Sequence, residues 1–431
     1  MLKITIMQPY LFTYIKNAGI LFFILFLLFS CSKDDGPTKD PNHIEKHQLT
    51  LTTNNLELEK GDTITFETTV DGKAVLADIY INNDKISGTS HIFEKAGIHQ
   101  VVAKKEGYTD SEAAELKVYH VVVYIAGNEL NETKAIAKYW NNGKAITLSD
   151  GSQDVYVESI FVDKEDVYVA GYEVSDLGRY ARYWKNGTAI NLTDGSQIAR
   201  AKSVWAANGD VYVAGYDRTD GLFIAKYWKN GTAVELTDGS QHAYANCLLL
   251  DNQDVHVAGS EYNGSEDIAT YWKNGTAVKL TDEGTESFAN AIFIDNGDVY
   301  IAGVQNRGSE DIATYWKNGI AVELTDGSQE SSLHSIFVHN GDVYAAGVES
   351  STAKFWKNGK AIALTDGNLY AIANSIFIVN QDIYIAGYEH SDGISRINLR
   401  YWKNGKAITL SDVNENSYAA SIFVTRSLSE N

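Results

Sequence analysis

A short phrase that recurs seven times constrains this chain more than any other feature. An aromatic residue and a tryptophan are followed by Asn-Gly two residues later and by an alanine five residues after the tryptophan. Asn-Gly between two strand-like runs predicts a tight β-hairpin, because both central residues of a type I′ turn need a positive φ. A repeat of about 44 residues is typical of arrays built from identical small units. The tryptophans are spaced by 44, 44, 44, 44, 40 and 46 residues and are Trp140, Trp184, Trp228, Trp272, Trp316, Trp356 and Trp402.

Each unit contains four strand-like runs. In the unit 159–202 these runs are Ser159–Val162, Asp166–Tyr172, Ala181–Lys185 and Thr188–Thr193. Four strands in about 44 residues is the size of one blade of a β-propeller. The repeat therefore predicts an array of four-stranded sheets.

The facing pattern of the hairpin predicts that the repeated tryptophan is a core residue. A two-residue turn places Trp184 opposite Ala189 and Tyr183 opposite Ile190, so both faces of the hairpin carry apolar side chains. A sheet with water on one face would show a polar side, whereas a blade lies between two neighbours. The small residue leaves room for the indole against the adjoining sheet, which favours packing over a sugar-stacking role. The matching alanines are Ala145, Ala189, Ala233, Ala277, Ala321, Ala361 and Ala407.

The order of the runs at the two ends predicts how the array closes. It begins with a second strand, Val121–Ala126, and ends with a first strand, Ser421–Val424. We expect the C-terminal strand to complete the sheet that begins at residue 121, which would close a ring and remove a free sheet edge. Cys247 takes a serine's place at the start of a first strand, which favours a buried inert thiol.

Residues 120–431 resemble seven-bladed β-propellers of a Tyr-Trp-Lys-Asn-Gly repeat type found in uncharacterised bacterial surface proteins. The Gly-His…Trp-Asp signature of WD repeats, the double glycine of kelch repeats and the Asp-box of sialidases do not occur. The resemblance implies a fold and transfers no catalytic residue.

Residues 46–119 contain short period-2 runs separated by turn signals, which predict a small β-sandwich. The segment Glu94–Ala103, Glu-Lys-Ala-Gly-Ile-His-Gln-Val-Val-Ala, resembles the late strands of immunoglobulin-like modules near the base of surface lipoproteins. That resemblance implies a spacer. The runs are His47–Thr52, Thr63–Thr68, Ala77–Ile81, Gln100–Ala103 and Ala114–Tyr119.

The N-terminus carries the features of an exported, anchored protein. The apolar run Ile20–Phe29 has the length of a signal-peptide core and is too short to span a bilayer. Leu28-Phe29-Ser30-Cys31 resembles a lipobox, which implies a signal peptide at 1–30, lipidation of Cys31 and a flexible tether at 31–45. Ser32-Lys33-Asp34-Asp35 resembles the export signal of surface lipoproteins. We therefore expect an outer-membrane protein that faces the cell exterior and contacts the membrane through its lipid only.

Charge and cysteine content exclude several classes of partner. The chain has 36 Lys+Arg and 56 Asp+Glu, a formal charge of −20. That sign argues against nucleic acid and against docking of the protein surface on anionic lipid. The two cysteines stand in different contexts, so we expect no disulfide between them. We expect a monomer without a cofactor.

Divergence between repeats marks the candidate site. In repeat folds, function lies where the repeats differ. Each fourth run is followed by an Asp, and equivalent loop positions are counted from that Asp. We expect two sets of loop residues at the mouth of the central channel. One set, six residues after the Asp, includes Tyr156, Arg200, Tyr244, Phe288 and Tyr418, and the other, two residues further on, includes Glu158, Lys202, Asn246, Asn290, His334 and Asn374.

Aromatic rings and amides around a channel suit a glycan or a protein ligand, and a binding module is the favoured function. A carbohydrate-active hydrolase or lyase on the same face is the first alternative, although the predicted mouth offers a single acid, Glu158, where hydrolysis needs a suitable pair. A non-catalytic scaffold or adhesin is the second. No metal site is expected, because the repeated Thr-Asp-Gly-Ser turns lack the Asp ladder of a calcium loop.

Overall fold

The computed structural model describes residues 46–308, 310–391, 396–410 and 416–429, and within them the secondary structure is entirely β. No helix in these ranges is long and apolar enough to cross a membrane. The signal peptide predicted at 1–30, the lipidation site Cys31 and the tether at 31–45 lie outside the described residues. The predicted all-β architecture with repeated four-stranded sheets is confirmed.

The N-terminal part consists of two sheets around one core. One sheet contains β1, β3, β4 and β7, and the other places β9, β8, β5 and β6 side by side, with β2 parallel to β9. Both contribute to a single cluster that includes Ile64, Phe66, Phe93 and Leu116. The strands are β1 (Thr50–Thr53), β2 (Glu57–Glu59), β3 (Thr63–Val70), β4 (Lys73–Ala74), β5 (Asp78–Ile81), β6 (Asp84–Lys85), β7 (Ser90–Ile92), β8 (Gly97–Lys104) and β9 (Ala114–Leu130).

Strand β9 belongs to both parts of the chain. Its first residues pair with β8 and β2, and its later residues pair with β10 (Ala135–Asn141) and with the C-terminal strand β36 (Ser417–Ser427). The boundary predicted between residues 119 and 120 therefore lies inside one continuous strand of 17 residues. The two parts are joined by hydrogen-bonded strand and not by a linker.

The rest of the chain forms repeated sets of four antiparallel strands. Six sets are separate sheets, and a seventh set, β36-β9-β10-β11, is part of the larger sheet that reaches into the N-terminal region. We name this set sheet A and the others sheets B to G in chain order. Sheet A is completed by β11 (Lys144–Thr147).

Sheets B to D have the following strands. Sheet B contains β12 (Val155–Asp163), β13 (Asp166–Val174), β14 (Arg179–Lys185) and β15 (Thr188–Asn191); sheet C contains β16 (Ala199–Ala207), β17 (Asp210–Thr219), β18 (Leu222–Lys229) and β19 (Thr232–Glu235); sheet D contains β20 (Ala243–Asp251), β21 (Asp254–Tyr262), β22 (Asp267–Lys273) and β23 (Thr276–Lys279).

Sheets E to G repeat the pattern. Sheet E contains β24 (Ser287–Asp295), β25 (Asp298–Arg307), β26 (Glu310–Lys317) and β27 (Ile320–Glu323); sheet F contains β28 (Ser331–His339), β29 (Asp342–Glu349), β30 (Thr352–Lys357) and β31 (Lys360–Ala363); sheet G contains β32 (Ala371–Val379), β33 (Asp382–Ser391), β34 (Arg396–Lys403) and β35 (Lys406–Ile408).

The first strands of the seven sets touch one another in a closed cycle. Each of β12, β16, β20, β24, β28 and β32 contacts the next, and β36 contacts both β32 and β12. We call these seven the inner strands. The middle residues of the second strands are buried, as in β13, whereas the fourth strands β19 and β23 are exposed at every position. The core therefore lies between neighbouring sheets.

The repeated tryptophans are core residues, as predicted. Trp184 lies opposite Ala189, and each of the seven repeated tryptophans is 0–1% exposed. Trp228 belongs to the cluster that joins sheets B and C, and Trp272 to the next cluster along the ring. Since burial of a large aromatic side chain is worth roughly 2–3 kcal/mol, these side chains are the main apolar contacts between sheets.

The Lys-Asn-Gly part of the phrase fastens the hairpin to the second strand. Lys185 Nζ lies 2.7 Å from a carboxylate oxygen of Asp166 and 5.3 Å from the centre of the Tyr168 ring. Asn186 has a φ of 50°, and its side-chain oxygen accepts a hydrogen bond from the Val167 N–H at 2.8 Å. Each member of the phrase thus has a packing or turn role.

The N-terminal part also contacts sheet G directly. Glu59 of β2 accepts hydrogen bonds from Lys403 Nζ at 2.7 Å and from the Tyr384 hydroxyl at 2.8 Å. Burial lowers the pKa of Lys403, but its hydrogen bond to Glu59 and other carboxylate contacts outweigh that effect and raise the pKa overall. A second ion pair joins Arg426 of β36 to Glu57. These contacts hold the two parts together beyond the shared strand.

Candidate functional site

Every inner strand contains a β-bulge at the same position. In β12 the register with β13 shifts between Val157 and Ser159, so Glu158 has no partner across the strand pair. A bulge redirects a side chain and bends the strand, which is why bulges are frequent beside binding sites. The bulge residues of the seven inner strands are Glu158, Lys202, Asn246, Asn290, His334, Asn374 and Ala420.

A glycine in the second strand makes room for each bulge. A Cβ atom on Gly171 would lie 2.0 Å from the carbonyl oxygen of Tyr156 and 2.9 Å from the Cα of Val157. The equivalent glycines of the other six sheets meet the same backbone oxygen at 1.9–2.0 Å. Glycine inside a strand is a known signal for such an approach, and here it marks the bulge.

The bulge corrects one prediction from the sequence. Tyr156, Arg200, Tyr244 and Phe288 were expected in loops, but they lie within inner strands, which begin about four residues earlier than predicted. The polar bulge residue interrupts the apolar alternation, so the sequence pattern places the start of the strand after the bulge. Tyr418 lies within an inner strand in the same way.

The bulges surround a cavity of about 430 Å³ that we call the axial pocket. All seven inner strands contribute to its lining. Eight of the eleven predicted site residues line it: Tyr156, Glu158, Lys202, Asn246, Asn290, His334, Asn374 and Tyr418. Arg200, Tyr244 and Phe288 are not among the lining residues.

The axial pocket lies at the end of the ring remote from the N-terminal sheets. Along β9, Asn128 is paired with the pocket residue Tyr418, whereas Tyr119 pairs with β2 of the N-terminal part. At about 3.3 Å per residue, the strand separates these positions by about 30 Å. The Asn-Gly turns lie at the opposite end from the pocket, since the Asn142 N–H donates to the carbonyl of Val123.

Much of the polar ring is already hydrogen-bonded within the protein. Three side-chain amides donate to backbone carbonyls of the next sheet: Asn246 to Ala289 at 3.0 Å, Asn290 to Leu333 at 2.9 Å and Asn374 to Ala419 at 2.8 Å. These bonds join neighbouring sheets, and they leave the amide oxygens of Asn246 and Asn290 as acceptors that can point into the pocket.

His334 is held as a neutral imidazole. Burial lowers its pKa, and nearby Lys202 lowers it further, although a hydrogen bond to Asn374 opposes the shift. Because the Asn374 amide nitrogen donates elsewhere, its oxygen accepts from His334 Nδ1 at 3.2 Å. His334 Nε2 is then an acceptor for the Ser332 hydroxyl at 2.8 Å.

The charged bulge residues neutralise each other. Lys202 Nζ lies 2.8 Å from a carboxylate oxygen of Glu158, and both side chains are about three-quarters buried. Glu158 is the one carboxylate among the described residues that line the axial pocket. The lining therefore lacks the pair of acids, one protonated and one ionised, that glycoside hydrolysis uses.

A ring of apolar side chains follows the polar ring along the inner strands, three residues further on, and we call it the apolar floor. Phe161 and Trp205 are 4.4 Å apart between ring centroids, and Phe337 and Phe377 are 5.0 Å apart. The sequence pattern indicates only that these positions are strand core. The floor consists of the third residue of each Ser-Ile-Phe-Val run: Phe161, Trp205, Leu249, Phe293, Phe337, Phe377 and Phe423.

Cys247 differs in part from its prediction. The residue is partly exposed and lines the axial pocket, whereas the sequence predicts a fully buried position. Burial still raises its pKa, so the thiol stays protonated at neutral pH and is a weak nucleophile. Cys247 holds the position in β20 that Ser203 holds in the neighbouring strand β16. The Ser203 hydroxyl accepts a hydrogen bond from the Leu248 N–H at 3.2 Å.

Tyrosines cover one side of the axial pocket. Tyr156 and Tyr172 stack with centroids 5.1 Å apart, and Tyr388 and Tyr418 contact edge to face at 6.2 Å. Burial raises the pKa of Tyr388 to about 12 and also raises that of Tyr418, so both hydroxyls remain neutral donors. Tyr172 and Tyr388 are not among the site residues predicted from the sequence; each directly follows the glycine of its second strand. In sheet E, on the opposite side of the pocket, Val304 holds the equivalent position.

The remaining predicted aromatics pack beside the pocket. Tyr244 lies 5.0 Å from Tyr216 and 5.5 Å from Phe223, measured between ring centroids. Phe288 pairs across the strands with Val304. Within the described ranges, no group of three or more His, Cys, Asp or Glu side chains could hold a metal ion.

Comparison with known proteins identifies no family for this chain. No family model matches it, and no curated protein matches its sequence. TolB from Acinetobacter baumannii is 13% identical with a TM-score of 0.40, over 62% of this chain and 75% of TolB. A structure reported for two prolyl endopeptidases is 13% identical with a TM-score of 0.43, over 80% of this chain and 50% of that one. A thermostable family-43 glycoside hydrolase is 16% identical with a TM-score of 0.32, over 50% of this chain and 95% of that one. At these TM-scores none of the three carries an argument about this chain.

Proposed function

We propose that this chain is a lipid-anchored surface protein that binds a carbohydrate in its axial pocket. In this proposal sheets A to G are the blades of a seven-bladed β-propeller, and residues 46–119 are an immunoglobulin-like spacer. The closed cycle of inner strands and the pairing of β36 with β9 support the first point. The single core shared by two small sheets supports the second.

The observation that carries the binding function is the one-sided tyrosine lining. The pocket has a volume within the range of small-ligand sites, tyrosines on one side, and amides and a histidine on the other. Sugars present apolar faces that stack on aromatic rings and hydroxyls that bond to amides. The divergence of the bulge residues between otherwise uniform sheets favours recognition over a purely structural role.

Two features favour a carbohydrate-binding protein over the alternatives. For a hydrolase, the only lining carboxylate is paired with Lys202 within the described chain. A scaffold has no need for a pocket of this size lined by polar side chains that differ between the sheets. In this proposal the apolar floor closes the channel beneath the ligand, so short saccharides or chain ends fit better than a threaded polymer.

The proposed anchor fits the position of the pocket. A lipid on Cys31 would attach the protein through its N-terminal part, and the axial pocket lies at the other end of the ring. The pocket would then face away from the outer membrane, toward the exterior. Replacement of Cys31 by alanine should release the protein from the membrane fraction; retention of that variant would contradict the proposed anchor.

The binding proposal is tested by titration of the purified full chain with a panel of neutral and acidic oligosaccharides in a calorimeter. We expect at least one sugar to bind and the Tyr388→Ala variant to bind it about 2-fold to 10-fold more weakly, because a stacked ring contributes on the order of 0.5–1.5 kcal/mol. Tyr80→Ala, on the N-terminal strand β5, is the matched control. Equal losses in both variants, or no binding by any sugar, would contradict the proposal.

A further inference from the structure

Two arginines beside the axial pocket have no carboxylate partner among the described residues. The chain has a formal charge of −20 and therefore more carboxylates than basic groups, so an arginine without a carboxylate partner is unusual in it. Neither Arg179 nor Arg200 forms an ion pair, and Nε of Arg200 is buried without a hydrogen-bond acceptor. Four other arginines in the described part of the chain each pair with a glutamate: Arg182 with Glu173, Arg307 with Glu323, Arg400 with Glu389 and Arg426 with Glu57.

The two guanidinium groups share one tyrosine. The guanidinium carbon of Arg200 lies 4.6 Å from the centre of the Tyr172 ring, and that of Arg179 lies 5.4 Å from it. The two carbons are therefore within about 10 Å of each other, which is about one Debye length at moderate salt. Like charges at this separation repel, and an anion between them would remove the repulsion.

The shared tyrosine belongs to the axial pocket. Tyr172 lines it and stacks on Tyr156, so the two arginines stand at the tyrosine-covered side. The nearby ammonium of Lys202 is neutralised by Glu158. Neither arginine lines the pocket itself, so the arginine pair is an unpaired positive charge beside the pocket, behind Tyr172. Arg179 belongs to sheet B and Arg200 to sheet C, and these two sheets are neighbours in the ring.

We infer that the ligand of the axial pocket is an anionic saccharide whose carboxylate or sulfate group is bound by Arg179 and Arg200. This inference rests on the proposed carbohydrate-binding function. The planar fork of a guanidinium matches a carboxylate or sulfate in a bidentate geometry, and hydrogen bonds between such ions are shorter and stronger than neutral ones. The sugar ring would stack on the pocket tyrosines while its acid group lies between the two arginines.

The inference is tested by calorimetric titration of the full chain with matched saccharides. The probes are a galacturonic acid trisaccharide, its methyl ester, the neutral galactose trisaccharide and a sulfated galactose oligosaccharide. We expect an acidic probe to bind about 10-fold to 100-fold more tightly than the ester and the neutral sugar, as charge-assisted hydrogen bonds require. Its affinity should also fall with added salt.

Variants assign the preference to the two arginines. Arg200→Met and Arg179→Met should each reduce the preference for the acidic probe over the neutral sugar, and should reduce the salt dependence of acidic-probe binding. Arg200→Lys, which keeps the charge but loses the fork, should retain part of the preference. Arg307→Met, on an exposed arginine of sheet E, should change nothing. Melting curves confirm that each variant is folded.

The outcomes separate the inference from the proposal beneath it. Equal affinity for the acid, its ester and the neutral sugar, with loss of all three in Tyr388→Ala, would refute the anionic ligand and leave carbohydrate binding intact. No binding of any saccharide would refute both. Tighter binding of a short polyglutamate peptide than of the sugars would also overturn the inference, and it would indicate a protein ligand. A preference for sulfate over carboxylate would support the anionic saccharide and identify its acid group.

Discussion

Replacement of Gly171 by alanine tests whether the bulged inner strand builds the pocket. The added Cβ would lie 2.0 Å from the carbonyl oxygen of Tyr156, whereas a comfortable contact needs more than 3 Å. Either the strands separate by more than 1 Å or the bulge is lost. Overpacking of this kind costs about 1–3 kcal/mol, and backbone atoms cannot rotate away, so we expect the upper part of that range.

The matched control is Gly187→Ala in the hairpin turn of the same sheet. Gly187 has a φ of 82° and open space around its Cβ position, so alanine there costs only the left-handed penalty of roughly 1–2 kcal/mol. Urea unfolding followed by tryptophan fluorescence compares the two variants. Saccharide binding should fall in Gly171→Ala and persist in Gly187→Ala. A Gly171 variant as stable as the control, with normal binding, would refute the role assigned to the bulge.

Three further predictions concern stability. Trp272→Ala should destabilise the chain by about 3–5 kcal/mol in urea unfolding, whereas Ile320→Ala, 72% exposed, should stay within about 0.5 kcal/mol. Glu59→Gln should weaken the contact with sheet G, seen as faster proteolysis of the N-terminal part at unchanged core fluorescence; equal rates would contradict it. Because the pKa of His334 is lowered in the folded state, the unfolded chain binds the proton first as pH falls, and the free energy of unfolding should decline below about pH 6.5. His334→Gln should make that decline shallower in urea unfolding at several pH values. An unchanged slope would contradict the assignment.

The hairpins could be predicted because their rules are local. Asn186 and Gly187 specify the turn, the turn specifies the register, and the register places Trp184 against Ala189. The count of runs predicted the repeated four-stranded sheets for the same reason. These features need only neighbours in the chain, and the repetition supplied seven independent examples.

The candidate site was harder to predict because it depends on distant residues. Divergence between repeats indicated Glu158 and its equivalents, but not that they are bulge residues; only the strand glycine carried that signal. Tyr172 follows that glycine in a strand that otherwise reads as core. Arg179 begins β14, directly after a connection whose length varies between repeats, and the packing of two sheets brings Arg179 and Arg200 to the same tyrosine ring.

Hydrogen–deuterium exchange of the full chain, with and without a saturating acidic saccharide, tests the central claim most directly. The account predicts slower exchange at the bulged ends of the inner strands and beside the pocket tyrosines, in 155–160, 170–174, 198–203, 386–390 and 417–421. The Asn-Gly turns and residues 46–119 should exchange at the same rate in both samples. Protection confined to the turns or to the N-terminal part would contradict the claim that function lies in the axial pocket.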